Sequence, residues 1–286
     1  MSYLCVVLIN LRPTTPIIHY KSYGKQTSET TRGQSAESQI NLTKNYKGGG
    51  LSPCAAKRAT IVGSYMCERW KRQLHNHKHR RGFNKPTLAF VTLTYPNVTL
   101  PSHKDCKRLH LNTFLIQLKR LYNNVDYLWR CELQQNGNIH FHILLTRFIS
   151  KRWLNQQWYR ILRRFGIYDS DLTKEQISKL PATNVAACRS ALGVRNYLLK
   201  YITKNSEDSA PAGRQWGSNL DSNDCKGVVV EVSVGGFHRM CTLRASGKVP
   251  CMSLEYCTLV LSPSCDFVFT YFPELIPSWL SFLQEP

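Results

Sequence analysis

The sequence predicts an α+β fold in which helices pack on one face of a central antiparallel sheet. Alternating runs rich in β-branched and aromatic residues predict strands, and apolar residues at helical spacing predict helices between them. Asn136-Gly137, which stands between two such runs, is typical of the turn in an antiparallel hairpin. The elements follow the order β-α-β-β-α-β-α-β, which favours a sheet layered with helices.

Each element is recognised from its periodicity and from the residues that end it. The predicted strands span residues 88–95, 127–133, 139–145, 184–188 and 228–234, and Pro96 stops the first of them. The predicted helices span residues 55–75, 109–122, 151–165 and 194–204.

Composition changes along the chain and predicts its domain organisation. The stretch before the first helix is polar and glycine-rich from about residue 21, which predicts a disordered tail over residues 1–50. A basic helical arm is expected over 51–85 and the main folded domain over 86–240, with a linker-like insertion at 206–226. Residues 241–286 form a C-terminal extension to which the sequence assigns no role.

Charge points to a polyanionic partner. The chain has 38 Lys and Arg against 18 Asp and Glu, a formal net charge of +20. Basic residues that neutralise phosphates release counterions, so nucleic acid is the expected partner.

The eleven cysteines are scattered and form no C-x-x-C pair, which argues against a zinc ribbon and against a secreted disulfide framework. No stretch approaches the roughly 20 apolar residues that a membrane span needs. We therefore expect a soluble protein of a reducing cytosol, without a signal peptide and without a membrane partner.

The predicted hairpin carries a candidate metal site. His140 and His142 are two residues apart in a strand, so their side chains share a face. A three-residue loop, Gln135-Asn136-Gly137 with the glycine left-handed, pairs apolar residues with one another on the other face and sets Glu132 opposite His140. Two imidazoles and a carboxylate leave open positions on a divalent ion, as a catalytic site needs. A polar outer face of a half-exposed hairpin is the alternative.

Three other histidines, His75, His77 and His79, lie at a helix end among Lys and Arg with no carboxylate nearby. We interpret this run as solvated or phosphate-facing rather than as a metal site.

The last predicted helix carries two tyrosines and a lysine on one face. Spacings of three and four residues bring together Tyr197, Lys200 and Tyr201. Core packing is the ordinary role of tyrosines at this spacing. The functional alternative is a phenol that attacks phosphorus, and a neighbouring ammonium such as that of Lys200 would favour its ionised form.

These motifs together resemble the HUH endonucleases. The similarity is carried by Glu132 followed by His140-x-His142, by the Tyr-x-x-Lys-Tyr helix, by the strand motif at 90–96 and by the segment Gly213-Arg-Gln-Trp-Gly217. Two tyrosines flanking a lysine resemble the rolling-circle replication initiators of small phages and plasmids. The resemblance covers about residues 86 to 217, and the N-terminal tail and the last sixty residues match nothing in that family.

The resemblance implies an RRM-like sheet with a divalent metal, Mg²⁺ or Mn²⁺, held by Glu132, His140 and His142. It implies that Tyr197 cleaves single-stranded DNA at a replication origin, leaving a 5′-phosphotyrosine and a free 3′-OH, and that Tyr201 acts in a second transfer. The chain has no G-x-x-x-x-G-K-[ST] motif, so a host helicase would unwind the duplex and a host polymerase would extend the 3′-OH. The expected location is the cytoplasm of a bacterial host.

DNA contacts are expected from the basic arm and from the basic, aromatic helix that follows the hairpin. The candidate DNA-binding residues are Arg130, Lys151, Arg152, Arg160, Arg163 and Arg164. In that helix Trp153, Trp158 and Tyr159 offer stacking surfaces, although at least half of these aromatic residues are expected in the core.

Two other functions stay open. Within the same chemistry, the chain could be a relaxase or a single-strand transposase. From a different class, it could be a non-catalytic nucleic-acid-binding module with an RRM-like sheet, but such modules expose aromatic side chains where this sheet would carry Glu and His.

Overall fold

A computed structural model of the chain describes residues 5–12, 17–22, 51–77, 86–134, 136–168, 171–180, 183–188, 211, 213–232, 235–253, 258–261 and 265–283. The predicted helix at 194–204 lies outside these residues, and with it Tyr197, Lys200 and Tyr201.

The chain forms two compact units, one of residues 47–222 and one of residues 1–46 together with 223–286. Each contains a five-stranded antiparallel sheet. The strands are β1 (Cys5–Leu11), β2 (Ile17–Ser22), β3 (Ala89–Leu93), β4 (Tyr127–Leu133), β5 (Ile139–Leu145), β6 (Thr183–Ala187), β7 (Trp216–Ser218), β8 (Val228–Val232), β9 (Cys251–Ser253) and β10 (Thr258–Leu261).

The unit of residues 47–222 carries the predicted hairpin at the middle of its sheet, whose strand order is β6-β3-β5-β4-β7. Its helices are α1 (Pro53–His77), α2 (His103–Asp105), a π-helix (Cys106–Leu111), α3 (Asn112–Leu121), α4 (Lys151–Arg164) and α5 (Lys174–Ser178). The predicted α+β class, an antiparallel sheet with helices packed around it, is confirmed.

The core lies between this sheet and helices α3 and α4. Alternation along the strands sends one set of side chains to these helices, and that set is apolar: Val91, Leu93, Trp129, Cys131, Phe141 and Ile143. The helices contribute Phe114, Leu118, Leu154, Trp158 and Ile161. Because this face is fully apolar, the register of β4 and β5 is strongly specified: a slip by one residue would bury the polar set instead.

Local sequence signals account for where these helices begin. The Ser150 hydroxyl accepts a hydrogen bond from the backbone N–H of Trp153 at the start of α4. Thr173 and Gln176 form a capping box at the start of α5. Helix α1 is the predicted basic helix, and it contacts β4 and β7. It is fixed to the loops before the strands by an Arg69–Asp126 ion pair and by a bond from Trp70 Nε1 to the Pro86 carbonyl.

The edge strand β7 lies inside residues 206–226, which the sequence predicts as linker-like. Its three residues, Trp216 to Ser218, pair with Arg130, Trp129 and Leu128 of β4. Three residues are too few to show an alternating pattern, and a central glycine is unfavourable in strands, so no strand signal is visible in the sequence here.

The other unit has the strand order β8-β1-β2-β10-β9. Its helices are α6 (Gly235–Ala245), α7 (Cys265–Tyr271) and α8 (Ile276–Phe282), with a 3₁₀ turn at Pro273–Leu275. The strand predicted at 228–234 forms as β8, but it pairs with β1 and not with the sheet of the hairpin. The predicted tail over 1–50 therefore contains β1 and β2, which pair only after distant segments of the chain have come together.

None of the helices that the structure describes is long and apolar enough to cross a membrane.

Candidate metal centre

The β4–β5 hairpin has the register that the sequence predicts. Glu132 pairs with His140 and Arg130 pairs with His142. The Gln134 N–H bonds to the carbonyl of Asn138, which leaves three residues in the loop, and Gly137 has a φ of 79°. A side chain at that φ would be strained, so glycine is what permits the odd loop and with it the polar pairing.

Three ligand atoms converge above this hairpin. Nε2 of His140 and Nε2 of His142 are 3.2 Å apart, and each lies 3.7 Å from Oε2 of Glu132. Their side chains are 17, 10 and 12% exposed for His140, His142 and Glu132, respectively, so the three groups are shielded but reachable. The structure thus brings together the three predicted metal ligands.

The spacing fits a divalent ion. The point equidistant from the three atoms lies about 2.1 Å from each, calculated from the separations of 3.2, 3.7 and 3.7 Å. Bonds from Mg²⁺ to oxygen and from Zn²⁺ to imidazole nitrogen are about 2.0–2.1 Å long. Among the residues that the structure describes, this is the one group of three such side chains close enough to share an ion. Three protein ligands leave coordination positions for a substrate oxygen.

The neighbouring strand orients one of the ligands. Thr92 on β3 is the cross-strand partner of His142, and its Oγ1 lies 3.3 Å from His142 Nδ1. If Nε2 keeps its lone pair for a metal, Nδ1 carries the proton and donates to Thr92. The hydroxyl therefore favours the tautomer that a metal site requires.

A buried cation lies next to the ligands. Arg130 is only 6% exposed and shares the strand face of Glu132 and His142. Its Nη1 donates a 2.7 Å hydrogen bond to Oε1 of Gln215, in the segment directly before β7. The edge strand thus reaches the site through one side chain.

Other reactive groups of the hairpin and of the first motif do not take part. The Cys131 side chain lies on the apolar face, and burial raises the pKa of its thiol to about 11, so it stays protonated and is no metal ligand. Burial also raises the pKa of Tyr95 well above its ordinary value, and its hydroxyl is 2.9 Å from His110 Nδ1 inside the core. Tyr95 is therefore unsuited to act as a nucleophile.

The predicted DNA-binding residues divide between the two faces of the sheet. Arg130 lies on the face of the metal ligands. The others lie on α4, which packs on the opposite face, and all are exposed: Lys151, Arg152, Arg160, Arg163 and Arg164. Arg163 forms a 2.6 Å ion pair with Asp171.

The aromatic residues of α4 are mainly core. Trp158 is 1% exposed and donates from Nε1 to the Thr94 carbonyl, and Tyr159 is buried as well. These two cannot stack on bases, because the apolar stripe of an amphipathic helix takes them inward. Trp153 is partly buried against Phe114.

The pattern now has a counterpart among known proteins. Residues 88–206 match the model of the family described as replication-associated protein ORF2/gene 2 protein. The match supports a role of this replication-associated kind. It begins just before β3, includes the metal ligands and the positions of Tyr197 and Tyr201, and ends before Gln215. No curated protein matches the chain significantly.

Sequence reasoning missed two residues at the site. Alternation puts Thr92 on the polar face of β3, which is a usable signal, but no short turn fixes the register of β3 against β5. Gln215 has no such signal, because its role depends on an edge strand that the sequence does not reveal.

Proposed function

We propose that this chain is a rolling-circle replication initiator that nicks and rejoins single-stranded DNA with a divalent metal and a tyrosine nucleophile. The convergence of Glu132, His140 and His142 around one point carries the proposal. The match of residues 88–206 to a replication-associated family supports it. The net charge of +20 provides the attraction to DNA that such an enzyme needs.

Glu132, His140 and His142 would hold the ion, Mn²⁺ or Mg²⁺. When bound, the ion would polarise a non-bridging oxygen of the scissile phosphate and contribute several kcal/mol of transition-state stabilisation. Mixed nitrogen and oxygen ligands suit Mn²⁺ better than Mg²⁺, which prefers oxygen alone. Thr92 keeps His142 in the tautomer that presents Nε2.

Tyr197 is assigned the first cleavage. Its phenolic oxygen forms a bond to phosphorus while the bond from phosphorus to the 3′ oxygen breaks. The phenol loses its proton, and the departing 3′ oxygen gains one, which leaves a free 3′-OH and a 5′-phosphotyrosine. Lys200 would stabilise the developing negative charge. A phosphodiester replaces a phosphodiester, so rejoining needs no ATP.

Tyr201 is assigned the second transfer, when the origin has been regenerated. Its phenol cleaves the new junction in the same way, and the 3′-OH released there attacks the first phosphotyrosine and closes a circle. A host helicase and polymerase would supply unwinding and extension.

The sheet face argues for this chemistry over a binding module of the RRM kind. Such modules place aromatic side chains on the exposed sheet face to stack bases. Here the corresponding positions carry Glu132, His140, His142 and the buried Arg130. These are groups that bind metal and phosphate rather than bases.

Covalent adduct formation tests the proposal. The full chain is incubated with a library of short single-stranded oligonucleotides, labelled downstream of the random region, and Mn²⁺. The products are separated under denaturing conditions. We expect a labelled protein band that needs Mn²⁺ and is absent from a Tyr197→Phe, Tyr201→Phe double variant. Failure to detect any adduct, or an adduct that persists in the double variant, would contradict the proposal.

A further inference from the structure

Arg130 is a charged side chain held in an unusual place. It is only 6% exposed, and it stands on strand β4 between the strand of His142 and the edge strand β7. Burying a guanidinium is costly unless it is held by hydrogen bonds or meets an anion. The anion that fits a site with three metal ligands is a phosphate.

Gln215 holds the guanidinium without neutralising it. Its Oε1 accepts a 2.7 Å bond from Arg130 Nη1, and because an amide is uncharged this bond leaves the positive charge in place. A guanidinium has five N–H donors in a planar fork, more than one amide oxygen can use. Arg pairs with phosphate through two parallel bonds of such a fork.

The main chain fixes Gln215 in turn. Its carbonyl accepts a 2.9 Å bond from the Cys131 N–H, the residue next to Arg130. Two residues further on, a Cβ at Gly217 would lie 2.8 Å from Nε1 of Trp129, so glycine permits the close approach of β7 to β4. The Asn219 side chain then accepts a 2.7 Å bond from the Tyr127 N–H and anchors the far end of the edge strand.

The geometry points to a phosphate subsite in which Arg130 contacts the DNA phosphate bound beside the metal ligands, and in which Gln215 positions Arg130. The inference rests on the proposed function and deepens it. The functional site then extends beyond residues 88–206, the range that matches the replication-associated family. Arg130 is a catalytic residue on this assignment, and Gln215 is a positioning residue.

Equilibrium binding gives the first test. In the Tyr197→Phe, Tyr201→Phe background, which cannot cleave, the affinity for a short single-stranded oligonucleotide and for Mn²⁺ is measured separately. Arg130→Met should weaken oligonucleotide binding about tenfold, as expected for loss of a charge-assisted hydrogen bond, and leave Mn²⁺ affinity unchanged. Arg108→Met is the matched control, because that arginine is 68% exposed and forms only a surface ion pair at 3.6 Å. Equal oligonucleotide affinities in the two variants would overturn the subsite.

The charge argument gives the second test, which a merely structural role would fail. Gln215→Glu keeps an acceptor for Arg130 but neutralises it, and Gln215→Met removes the acceptor. If Gln215 only stabilises the fold, Glu should restore the wild-type rate of adduct formation at saturating DNA. On our assignment both variants slow that rate, Arg130→Met slows it by roughly 100-fold, and Arg130→Lys falls in between.

The outcomes separate the two proposals. A wild-type chain that forms no adduct contradicts the proposed function, and the binding comparison then decides the subsite alone. A wild-type chain that forms adduct, together with a Gln215→Glu variant that is equally fast, contradicts the positioning role. Thermal melting of each variant identifies loss of folding, and the two Gln215 variants serve if Arg130→Met does not fold.

Discussion

Thr92 lies directly across the β3–β5 ladder from His142, and its hydroxyl oxygen is 3.3 Å from the Nδ1 of that imidazole. A hydrogen bond at Nδ1 fixes both the orientation of the ring and the tautomer that leaves Nε2 free to bind a metal. The ligand set therefore depends on a third strand as well as on the hairpin.

Removing this hydroxyl should weaken the metal site. Thr92→Val keeps the shape of the side chain and deletes the oxygen, so we expect Mn²⁺ affinity to fall about 10–100-fold, the usual effect of losing such a partner. Thr92→Ser retains the hydroxyl and should stay near the wild-type affinity. Isothermal titration with Mn²⁺ measures both, and wild-type affinity in Thr92→Val would contradict the assigned role.

The two metal histidines should be needed for chemistry and not for DNA affinity. His140→Ala and His142→Ala should each abolish metal-dependent adduct formation, while DNA binding persists because Lys and Arg contacts to phosphate provide most of it. His77→Ala, at the end of α1 and outside the metal site, is the control and should be fully active. Undiminished cleavage by either variant, or by the wild type in excess chelator, would rule out the metal site.

The two tyrosines should divide the reaction between them. Tyr197→Phe retains the ring and deletes the nucleophilic oxygen, so we expect it to lose most adduct formation on a short single strand. Tyr201→Phe should keep the first cleavage and impair termination of a full replication round. Gel analysis of adducts, together with the yield of closed circles in a replication assay, distinguishes the roles. The opposite pattern would reverse the assignment.

Gly217 should be required for the edge strand. An alanine Cβ there would lie 2.8 Å from Nε1 of the rigid Trp129 indole, and such overpacking costs about 1–3 kcal/mol of unfolding free energy. Gly235→Ala is the control, because no atom lies within 4 Å of its added Cβ. Urea unfolding followed by tryptophan fluorescence measures both changes. A Gly217→Ala variant as stable as the wild type would show that β7 can shift without cost.

The exposed basic residues of α4 should contribute nonspecific DNA affinity. Arg152 and Arg160 lie on the opposite side of the sheet from the metal ligands, so they can contact only flanking DNA. Replacing both with Gln should reduce the slope of log affinity against log salt by about 1.4 for single strands, or about 0.7 for each phosphate that is no longer neutralised. Mn²⁺ affinity should not change, and Lys248→Gln, an exposed lysine of the other unit, provides the control. An unchanged slope would remove α4 from the DNA-binding surface.

The local part of the site could be predicted because it is encoded within fourteen residues. The alternation of apolar and polar side chains, together with a glycine that permits an odd loop, leaves one register for the β4–β5 hairpin. That register alone places Glu132 opposite His140 and Arg130 opposite His142. The α+β class followed from the same periodicities.

Only the tertiary structure decided which distant segments join this hairpin. Thr92 comes from a strand more than forty residues away, and Gln215 from an edge strand about eighty residues away that has no periodic signal. The strand at 228–232, which the sequence places in the same domain, pairs with β1 near the N-terminus instead. Local patterns specify turns and faces because they act over a few residues, whereas the pairing of remote strands is set by the shape and polarity of surfaces that exist only after folding.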